Sequence, residues 1–367
     1  MSKILIVTHW FYPRQNPRAF RAFELYRELR KRNEVDVLIG DWKRYLKANG
    51  DYHVLDCFSG QEIANKNAKL SNMKLVQIGK KVVQYFIGDR YLLNGGRYLL
   101  KNIDLSKYDA VISIGLPFYV HWYVSKKLRK YKGGIISISD WGDPFYGDPV
   151  RTIAPYFKTI QKRICNAFDY VVTPTVNAVE YYQKYKINKN GIKVIPQGFD
   201  FSEIELEEYH PNRTPHFAYA GIFYLDKRNP EKFLDYLTTL DKDFVFTIYT
   251  VKHGPIYQNL LMKYKNILKE KLVINDIVPR IECIRELSKN DFLINIDNLG
   301  GVQVPSKLID YSLSGRPILN FKQDEIPVSS FEEFLSANYS GQYKINIENY
   351  NIKNVADKFE KLIRGEV

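Results

Sequence analysis

Short apolar runs alternate with amphipathic segments along the first 200 residues. KILIVTHW (3–10) is an apolar run that ends in a loop, which is typical of a strand buried in a parallel sheet. RAFRAFELYRELRKR (18–32) has the spacing of an amphipathic helix, and EVDVLIG (34–40) predicts the next strand. This order predicts a right-handed crossover. Further strands are predicted at 108–115, 133–140, 168–175 and 192–200, with helices at 119–130 and 151–166.

The acidic, proline-bearing segment FSEIELEEYHPNRTP (201–215) interrupts this alternation and is typical of a linker. The alternation then restarts, and two such series predict an α/β protein with two Rossmann-like, doubly wound domains that face a cleft. We expect an N-terminal domain at 1–200 and a C-terminal domain at 201–350. The stretch 351–367 predicts an amphipathic helix that packs back on the N-terminal domain. The second series has strands at 216–223, 244–250, 271–276, 291–297 and 317–321, with helices near 229–240, 256–269, 280–289 and 305–314.

One region departs from the regular pattern. About 60–105 reads as a helical insertion in the N-terminal domain, and within it 72–103 alternates apolar clusters with lysines and arginines. Two interpretations stay open: helices packed on the core, or a patch that meets a membrane surface or a lipid acceptor.

Composition narrows the class of protein. The 367 residues carry 54 Lys and Arg against 41 Asp and Glu, a net charge of +13 that attracts anions. Nucleic acid is one such anion, but no zinc, ribonucleoprotein or helix-turn-helix signature supports it. The three cysteines fit neither a disulfide framework nor a zinc site. No apolar run is long enough to span a membrane, and the N-terminus does not resemble a signal peptide, so we expect a cytoplasmic protein.

Cations cluster where the second series of strands ends. Lys227 and Arg228 follow its first strand, and Lys307 lies in the first turn of the helix at 305–314. Ligands of doubly wound sheets lie at the carboxyl ends of strands, close to helix N-termini. Gly300 and Gly301 allow the backbone to approach a ligand closely. The sequence therefore predicts an anion pocket that suits a diphosphate.

Several of these segments resemble a known family. AGIFYLDKRNPEKFLDYL (220–237), VPSKLIDYSLSGRPIL (304–319), VIPQGFD (194–200) and the stretch 3–40 resemble glycosyltransferase family 4, retaining enzymes of the GT-B fold. The Pro-Ser-Lys variant is similar to sugar transferases of surface polysaccharide assembly. The resemblance implies transfer of a sugar from a nucleotide diphosphate donor, with retention, without an obligatory metal and without a cofactor.

The resemblance also implies roles for residues of the C-terminal domain. Lys227 and Arg228, with Lys307, would offset charge on the departing diphosphate, and Asp310 would bind the ribose. The family's first glutamate falls on Val302 here, so Asp297 or Asn298 would contact the sugar hydroxyls instead. The donor-binding set is Gly221, Asp297, Asn298, Gly300, Gly301, Ser306 and Asp310.

On the acceptor side, the family has a His or Asp in the loop that here reads ISDWGDPF (138–145). We assign Asp140 to catalysis, with helix capping as the alternative. A front-face route fits the sequence better than a backside carboxylate nucleophile. The acceptor-binding set is His9, Arg14, Arg18, Arg21 and Asp143, although a lone histidine is more often structural.

The reaction expected is therefore sugar transfer to a glycan or lipid-linked acceptor, by a protein with peripheral contact to the inner face of an anionic membrane. An alternative keeps the fold and changes the reaction to that of a nucleotide-sugar epimerase or hydrolase. A basic nucleic-acid-binding protein is the third reading. Asp241 and Asp243 match a metal-binding pattern, but they sit in a predicted turn, so no metal site is expected.

Overall fold

The computed structural model describes residues 1–12, 14, 16–40, 82–88, 94–147, 152–184, 190–226, 228–297 and 306–366. The chain divides into two compact units. Unit 1 is Met1–Asp200 together with Asn349–Val367, and unit 2 is Phe201–Glu348. Each unit contains one parallel sheet and several helices, so the α/β class predicted from the sequence is confirmed.

Six parallel strands form the sheet of unit 1. In chain order they are β1 (Lys3–Thr8), β2 (Glu34–Ile39), β3 (Ala110–Ile114), β4 (Ile136–Asp140), β5 (Tyr170–Thr173) and β6 (Ile192–Val194). Their order across the sheet is β2-β1-β3-β4-β5-β6. The winding direction reverses between β1 and β3, and doubly wound sheets bind ligands at such a switch point.

Helices cover the sheet of unit 1. They are α1 (Pro17–Leu29), α2 (Asn94–Asn102), α3 (Tyr119–Leu128), α4 (Phe157–Cys165) and α5 (Val176–Gln183). The Asn16 side chain accepts hydrogen bonds from the Arg18 and Ala19 amides and caps α1, while Pro17 occupies its first position. The helix predicted at 151–166 begins only at Phe157, because Pro155 disfavours helical geometry in the residue before it.

Five parallel strands form the sheet of unit 2. They are β7 (His216–Ala220), β8 (Val245–Tyr249), β9 (Leu272–Asn275), β10 (Phe292–Asp297) and β11 (Ile318–Lys322), in the order β11-β10-β7-β8-β9. The switch point lies between β7 and β10, which pair directly through Phe217 and Phe292. An aromatic cluster around Phe217 fills the core, with Phe246 and Phe292 stacked on it at 4.8 and 4.9 Å.

The helices of unit 2 are α6 (Glu231–Thr238), α7 (Met262–Leu268), α8 (Arg280–Ser288), α9 (Ser306–Leu313) and α10 (Val328–Leu335). A π-helical segment, Ile256–Leu261, leads into α7. The chain then returns to unit 1 as α11 (Ile352–Arg364), whose Val355 and Phe359 pack with Ile4 and Leu25 in one buried cluster. Among the described residues, none of the helices has the length and apolar character needed to span a bilayer.

Candidate active site

The carboxyl ends of β7 and β10 lie side by side in unit 2, and predicted donor residues lie at this edge of the sheet. Gly221 follows β7 directly and has a φ of +141°, a conformation that disfavours any residue with a side chain. Asp297 is the last residue of β10. Lys307 lies in the first turn of α9, where unpaired backbone N–H groups and the helix dipole favour an anion.

The Lys307 ammonium lies half-buried against an aromatic ring. Its Nζ lies 4.7 Å from the centroid of the Tyr219 ring and donates a long hydrogen bond of 3.4 Å to the Ile296 carbonyl. Tyr219 is buried on β7 and stacks on Phe223, with ring centroids 4.3 Å apart. Because a cation is attracted to the face of an aromatic ring, Tyr219 holds this ammonium at the strand ends.

Arg228 reaches the same ring from the loop after β7. Its Nη1 donates to the Ile222 carbonyl at 3.3 Å, and the Tyr219 hydroxyl donates to that carbonyl at 3.4 Å. Backbone hydrogen bonds in both directions between Tyr224 and Arg228 close the loop as a short antiparallel bridge. The loop therefore brings Arg228 to the residue that holds Lys307.

The surroundings of Lys307 disfavour its positive charge. Burial lowers the pKa of Lys307 well below its usual range, the charge of Arg228 adds to that shift, and Asp297 opposes it. Burial also raises the pKa of Tyr219 and of Tyr311, so both phenols are neutral. The Tyr311 hydroxyl accepts from the Ala220 amide at 2.7 Å, which fixes the end of β7 beside α9. The cluster disfavours further positive charge and favours an anion.

Asp310 lies one turn after Lys307 on α9 and pairs with a residue that the sequence did not single out. Nε of Arg280, on α8, donates to Asp310 Oδ1 at 2.8 Å, and its Nη2 lies 2.6 Å from the same oxygen. Burial raises the pKa of Asp310, and the Arg280 charge opposes this shift without cancelling it. A ribose hydroxyl would therefore have to share this carboxyl group with Arg280.

Part of the predicted donor set lies outside the described residues. This applies to Lys227, Asn298, Gly300 and Gly301, and also to Val302. Ser306 begins α9, but its side chain is outside the description as well. The structure thus places Gly221, Arg228, Asp297 and Lys307 at one edge of the sheet, with Asp310 further along α9.

In unit 1, Asp140 ends β4 and is paired with two arginines of α1. Arg21 Nε donates to Asp140 Oδ2 at 2.7 Å, and Arg18 Nη2 lies 3.2 Å from Oδ1 and donates to the Asp140 carbonyl at 2.8 Å. Arg21 also donates to the carbonyls of Ile195 and Pro196. The side chains of Arg21 and Asp140 are each only 1% exposed to solvent. Both charges are engaged inside unit 1.

Burial alone would raise the pKa of Asp140, but the charges of Arg21 and Arg18 and their hydrogen bonds outweigh it, so the pKa is lowered. The carboxylate is therefore charged at neutral pH. Among the described residues, its oxygens face these two guanidinium groups and do not cap a helix.

The other predicted acceptor residues lie near the ends of β1 and β4. His9 Nδ1 lies 2.7 Å from the hydroxyl of Tyr119, a residue on α3, and the histidine is buried. The Arg14 guanidinium lies 5.8 Å from the Trp10 ring. Asp143 is exposed in the loop after β4. Three of the five, His9, Arg18 and Arg21, thus contribute to the interior of unit 1.

The sequence reasoning missed a second buried polar pair at this switch point. Ser113, on β3, lies with its Oγ 2.7 Å from His121 Nδ1, and the His121 ring stacks on Trp141 at 4.1 Å. Burial lowers the pKa of His121 to about 3, so the imidazole is neutral. The eight-residue spacing of Ser113 and His121 across a strand-helix turn is the only signal in the sequence that could have indicated this pair. Within the described ranges, no group of His, Cys, Asp and Glu side chains is arranged to hold a metal ion.

No family model and no curated protein matches the chain, but solved structures resemble it over their full lengths. The apo form of the lipopolysaccharide outer core galactosyltransferase WaaB is 12% identical, with a TM-score of 0.58 and 100% of both chains covered. Anabaena HepE in complex with UDP-glucose is 10% identical, with a TM-score of 0.55 and 100% of both chains covered. Sucrose-phosphate synthase from Thermosynechococcus elongatus is 12% identical, with a TM-score of 0.57, covering 100% of this chain and 99% of that one.

At these identities the likeness concerns the fold and not the activity. The two parallel sheets, with their switch points at β1/β3 and β7/β10, account for it. The chain therefore has the GT-B fold of these glycosyltransferases, as predicted from the sequence.

Proposed function

We propose that this chain is a glycosyltransferase that moves a sugar from a nucleotide diphosphate donor to a glycan or a lipid-linked acceptor in surface polysaccharide assembly. The observation that carries the proposal is the cluster at the β7/β10 edge. There, Lys307 is half-buried at the N-terminus of a helix, and the charge of Arg228 acts on it. Burial, the Arg228 charge and the helix N-terminus each disfavour a positive charge on Lys307. A bound diphosphate would supply the negative charge that this position favours.

The donor nucleotide that we propose is a uridine diphosphate. The support is the likeness to HepE, which was solved with UDP-glucose. In this arrangement the diphosphate lies against Lys307 and Arg228, with Lys227 as a further cation. Asp310 takes a ribose hydroxyl, and we assign contact with the sugar hydroxyls to Asp297 or Asn298.

The reaction that we propose retains the configuration at the anomeric carbon and needs no metal. The bond between that carbon and the diphosphate oxygen breaks, and the acceptor oxygen bonds to the same face of the sugar. The departing phosphate oxygen accepts the acceptor's proton. Lys307 and Arg228 stabilise the negative charge that develops on the diphosphate, which is the kind of interaction that contributes most to such rate enhancements.

The site in unit 1 has a supporting part in this proposal. Asp140, held by Arg18 and Arg21, fixes the end of β4 and thereby the loop that carries Asp143. We assign acceptor contacts to Arg14 and Asp143, and we assign to His9 the positioning of that surface through Tyr119.

The experiment measures UDP-sugar consumption by the full chain with and without an acceptor mixture of glycans and lipid-linked sugars. A transferase releases UDP faster when its acceptor is present, whereas a hydrolase releases it equally in both and an epimerase converts the sugar without releasing UDP. Lys307→Ala and Arg228→Ala should each lower turnover by about 10²- to 10³-fold, as loss of a charge-stabilising donor does in other enzymes.

The matched control is Lys242→Ala, which removes an exposed lysine that precedes the amino end of β8, whereas the cluster lies at the carboxyl ends of the parallel strands. It should leave turnover unchanged. Unaltered rates in both site variants, with a folded protein confirmed by thermal unfolding, would show that the diphosphate site has been misplaced.

A further inference from the structure

Large apolar side chains are exposed together on one part of unit 1. Val82, Val83 and Phe86 lie on a helical turn at 82–87, and with Tyr156 they are 46–59% exposed. The Tyr156 hydroxyl donates to the Phe86 carbonyl, so the four side chains belong to one surface. We call this surface the apolar patch.

The apolar patch is attached firmly to the core of unit 1. The Ala154 amide donates to the Tyr85 carbonyl at 3.0 Å, which ties the turn to the segment that precedes α4. Gly88 lies so close to Phe157 that a Cβ atom there would come within 2.6 Å of its ring. The apolar patch is therefore exposed although the segment that carries it is packed against unit 1.

A cationic cavity that is open to solvent lies along α4, the helix that Tyr156 precedes. It has a volume of about 560 Å³ and is lined by Arg129, Thr159, Lys162, Arg163, Asn166 and Ala167. Tyr156, Thr159 and Arg163 follow the i, i+3, i+7 spacing of one helix face. Since seven residues of helix rise about 10 Å, the patch and the cavity form one continuous face along α4.

The charges that line this cavity have one sign. Arg129, Lys162 and Arg163 are exposed, and within the described part of the chain none of them makes an ion pair. The described residues that line the cavity include no carboxylate. Lys126, on the last turn of α3, has its pKa lowered by burial and by the neighbouring charges of Arg129 and Lys130. The preference of helix C-termini for cations explains basic residues there, but it does not explain why an apolar patch adjoins them.

We propose that this face of unit 1 docks on an anionic lipid surface. The apolar patch enters the headgroup layer, while Arg129, Lys162 and Arg163 bind lipid phosphates in the cavity. Amphipathic surfaces of this composition bind at membrane interfaces through buried apolar area and attraction to anionic lipids. The inference deepens the proposed function, since a lipid-linked acceptor is reached at such a surface, but vesicle binding requires no donor sugar.

The test measures co-sedimentation of the full chain with vesicles of phosphatidylcholine, with and without phosphatidylglycerol. We expect strong binding to the anionic vesicles, weakened by added salt, and little binding to the neutral ones. Since each basic residue near an anionic surface contributes about a fivefold change in partitioning, the triple variant Arg129→Gln, Lys162→Gln, Arg163→Gln should bind on the order of a hundredfold more weakly.

The charge-matched control replaces three exposed cations of unit 2 that have no ion pair among the described residues: Arg213→Gln, Lys242→Gln and Lys344→Gln. It should retain most of the binding. The variant Val83→Ser, Phe86→Ser tests the apolar patch, and we expect about a tenfold loss of vesicle binding, since burial of each such side chain contributes substantially. Thermal unfolding confirms that all variants are folded.

Equal losses in the two triple variants would overturn the proposal, because net charge alone would then explain binding. Absence of wild-type vesicle binding would also overturn it, including the case in which inorganic phosphate or a soluble phosphorylated compound binds the cavity instead. UDP binding by the same preparation is measured in parallel. If UDP binds but vesicles do not, the membrane inference alone is rejected. If UDP does not bind, the result counts against the proposed donor site.

Discussion

Binding of UDP should be accompanied by proton uptake at Lys307. In the free chain, burial and the charge of Arg228 lower the pKa of this ammonium well below its usual range. A diphosphate brings at least two negative charges to the same place, and opposite charges favour the charged form. Among the described residues, Asp297 at the end of β10 is the negative charge that acts on Lys307, and the ring of the neutral Tyr219 lies against its ammonium. We therefore expect the pKa to rise on binding.

The sign and size of the effect follow from linkage. Between the lowered pKa of the free chain and the raised pKa of the complex, the complex holds more protons than the free chain. UDP affinity should therefore increase as pH falls through this window and decrease as pH rises through it. If Lys307 changes state fully, uptake approaches about one proton per chain, which corresponds to about a tenfold change in affinity per pH unit.

Calorimetry in two buffers with different ionisation enthalpies measures the uptake directly. The titration is made well above the phosphate pKa of about 6, so that UDP itself neither binds nor releases protons. Lys307→Met should abolish the uptake, whereas Lys242→Met should leave it unchanged. Wild-type binding without uptake, or the same uptake in Lys307→Met, would refute the reasoning that Lys307 lies at the diphosphate.

Three further outcomes are expected. Asp310→Asn should weaken UDP binding about ten- to hundredfold through loss of a charged hydrogen bond to the ribose, while Asp241→Asn should not; equal affinities by calorimetry would reject the ribose assignment. Asp140→Ala leaves Arg21 charged and buried, so urea unfolding should show a loss of about 3–5 kcal/mol, and a loss under about 1 kcal/mol would contradict the buried pair. Transferase activity should persist in EDTA, and its full loss there would point to a metal requirement.

The fold could be predicted from the sequence because each strand and helix has a recognisable local pattern of apolar and polar residues. Strands buried on both faces of a parallel sheet must be apolar along their length, and KILIVT, AVISI and FLINID are nearly so. The helices between them carry apolar residues at helical spacing. The acidic stretch that begins at Phe201 is where unit 2 begins, because few apolar residues there could join either core.

The pairing of site residues could not be predicted in the same way. Arg21 and Asp140 are 119 positions apart, and sequence reasoning gave them separate tasks, whereas the structure joins them in one buried pair. Arg280 and Asp310 are 30 positions apart on two helices. Such contacts depend on how helices pack against a sheet, and residue type alone does not reveal which of several nearby cations meets a given carboxylate.

Nor did the sequence indicate what lies under Lys307. Tyr219 reads as one apolar residue of a strand, and its position suggests only that it is buried. The face of its ring becomes a cation site because β7 and β10 are neighbours and α9 begins directly above their ends. The carboxyl ends of β7 and β10 are 77 positions apart, from Ala220 to Asp297, and the fold has to bring them together before the tyrosine can hold a cation.

The two buried charge clusters differ in how their charges are balanced, and that difference separates a structural role from a binding role. Around Asp140, the carboxylate is paired with both Arg21 and Arg18 within unit 1, so no ligand is needed to balance its negative charge. Around Lys307, burial, the helix N-terminus and Arg228 all act against the ammonium, with Asp297 and the Tyr219 ring as the compensation. A dianion bound there supplies negative charge that offsets all three effects. The instability of positive charge in the free chain is thus a source of affinity for the diphosphate, and it is the physical reason to assign the site to the β7/β10 edge.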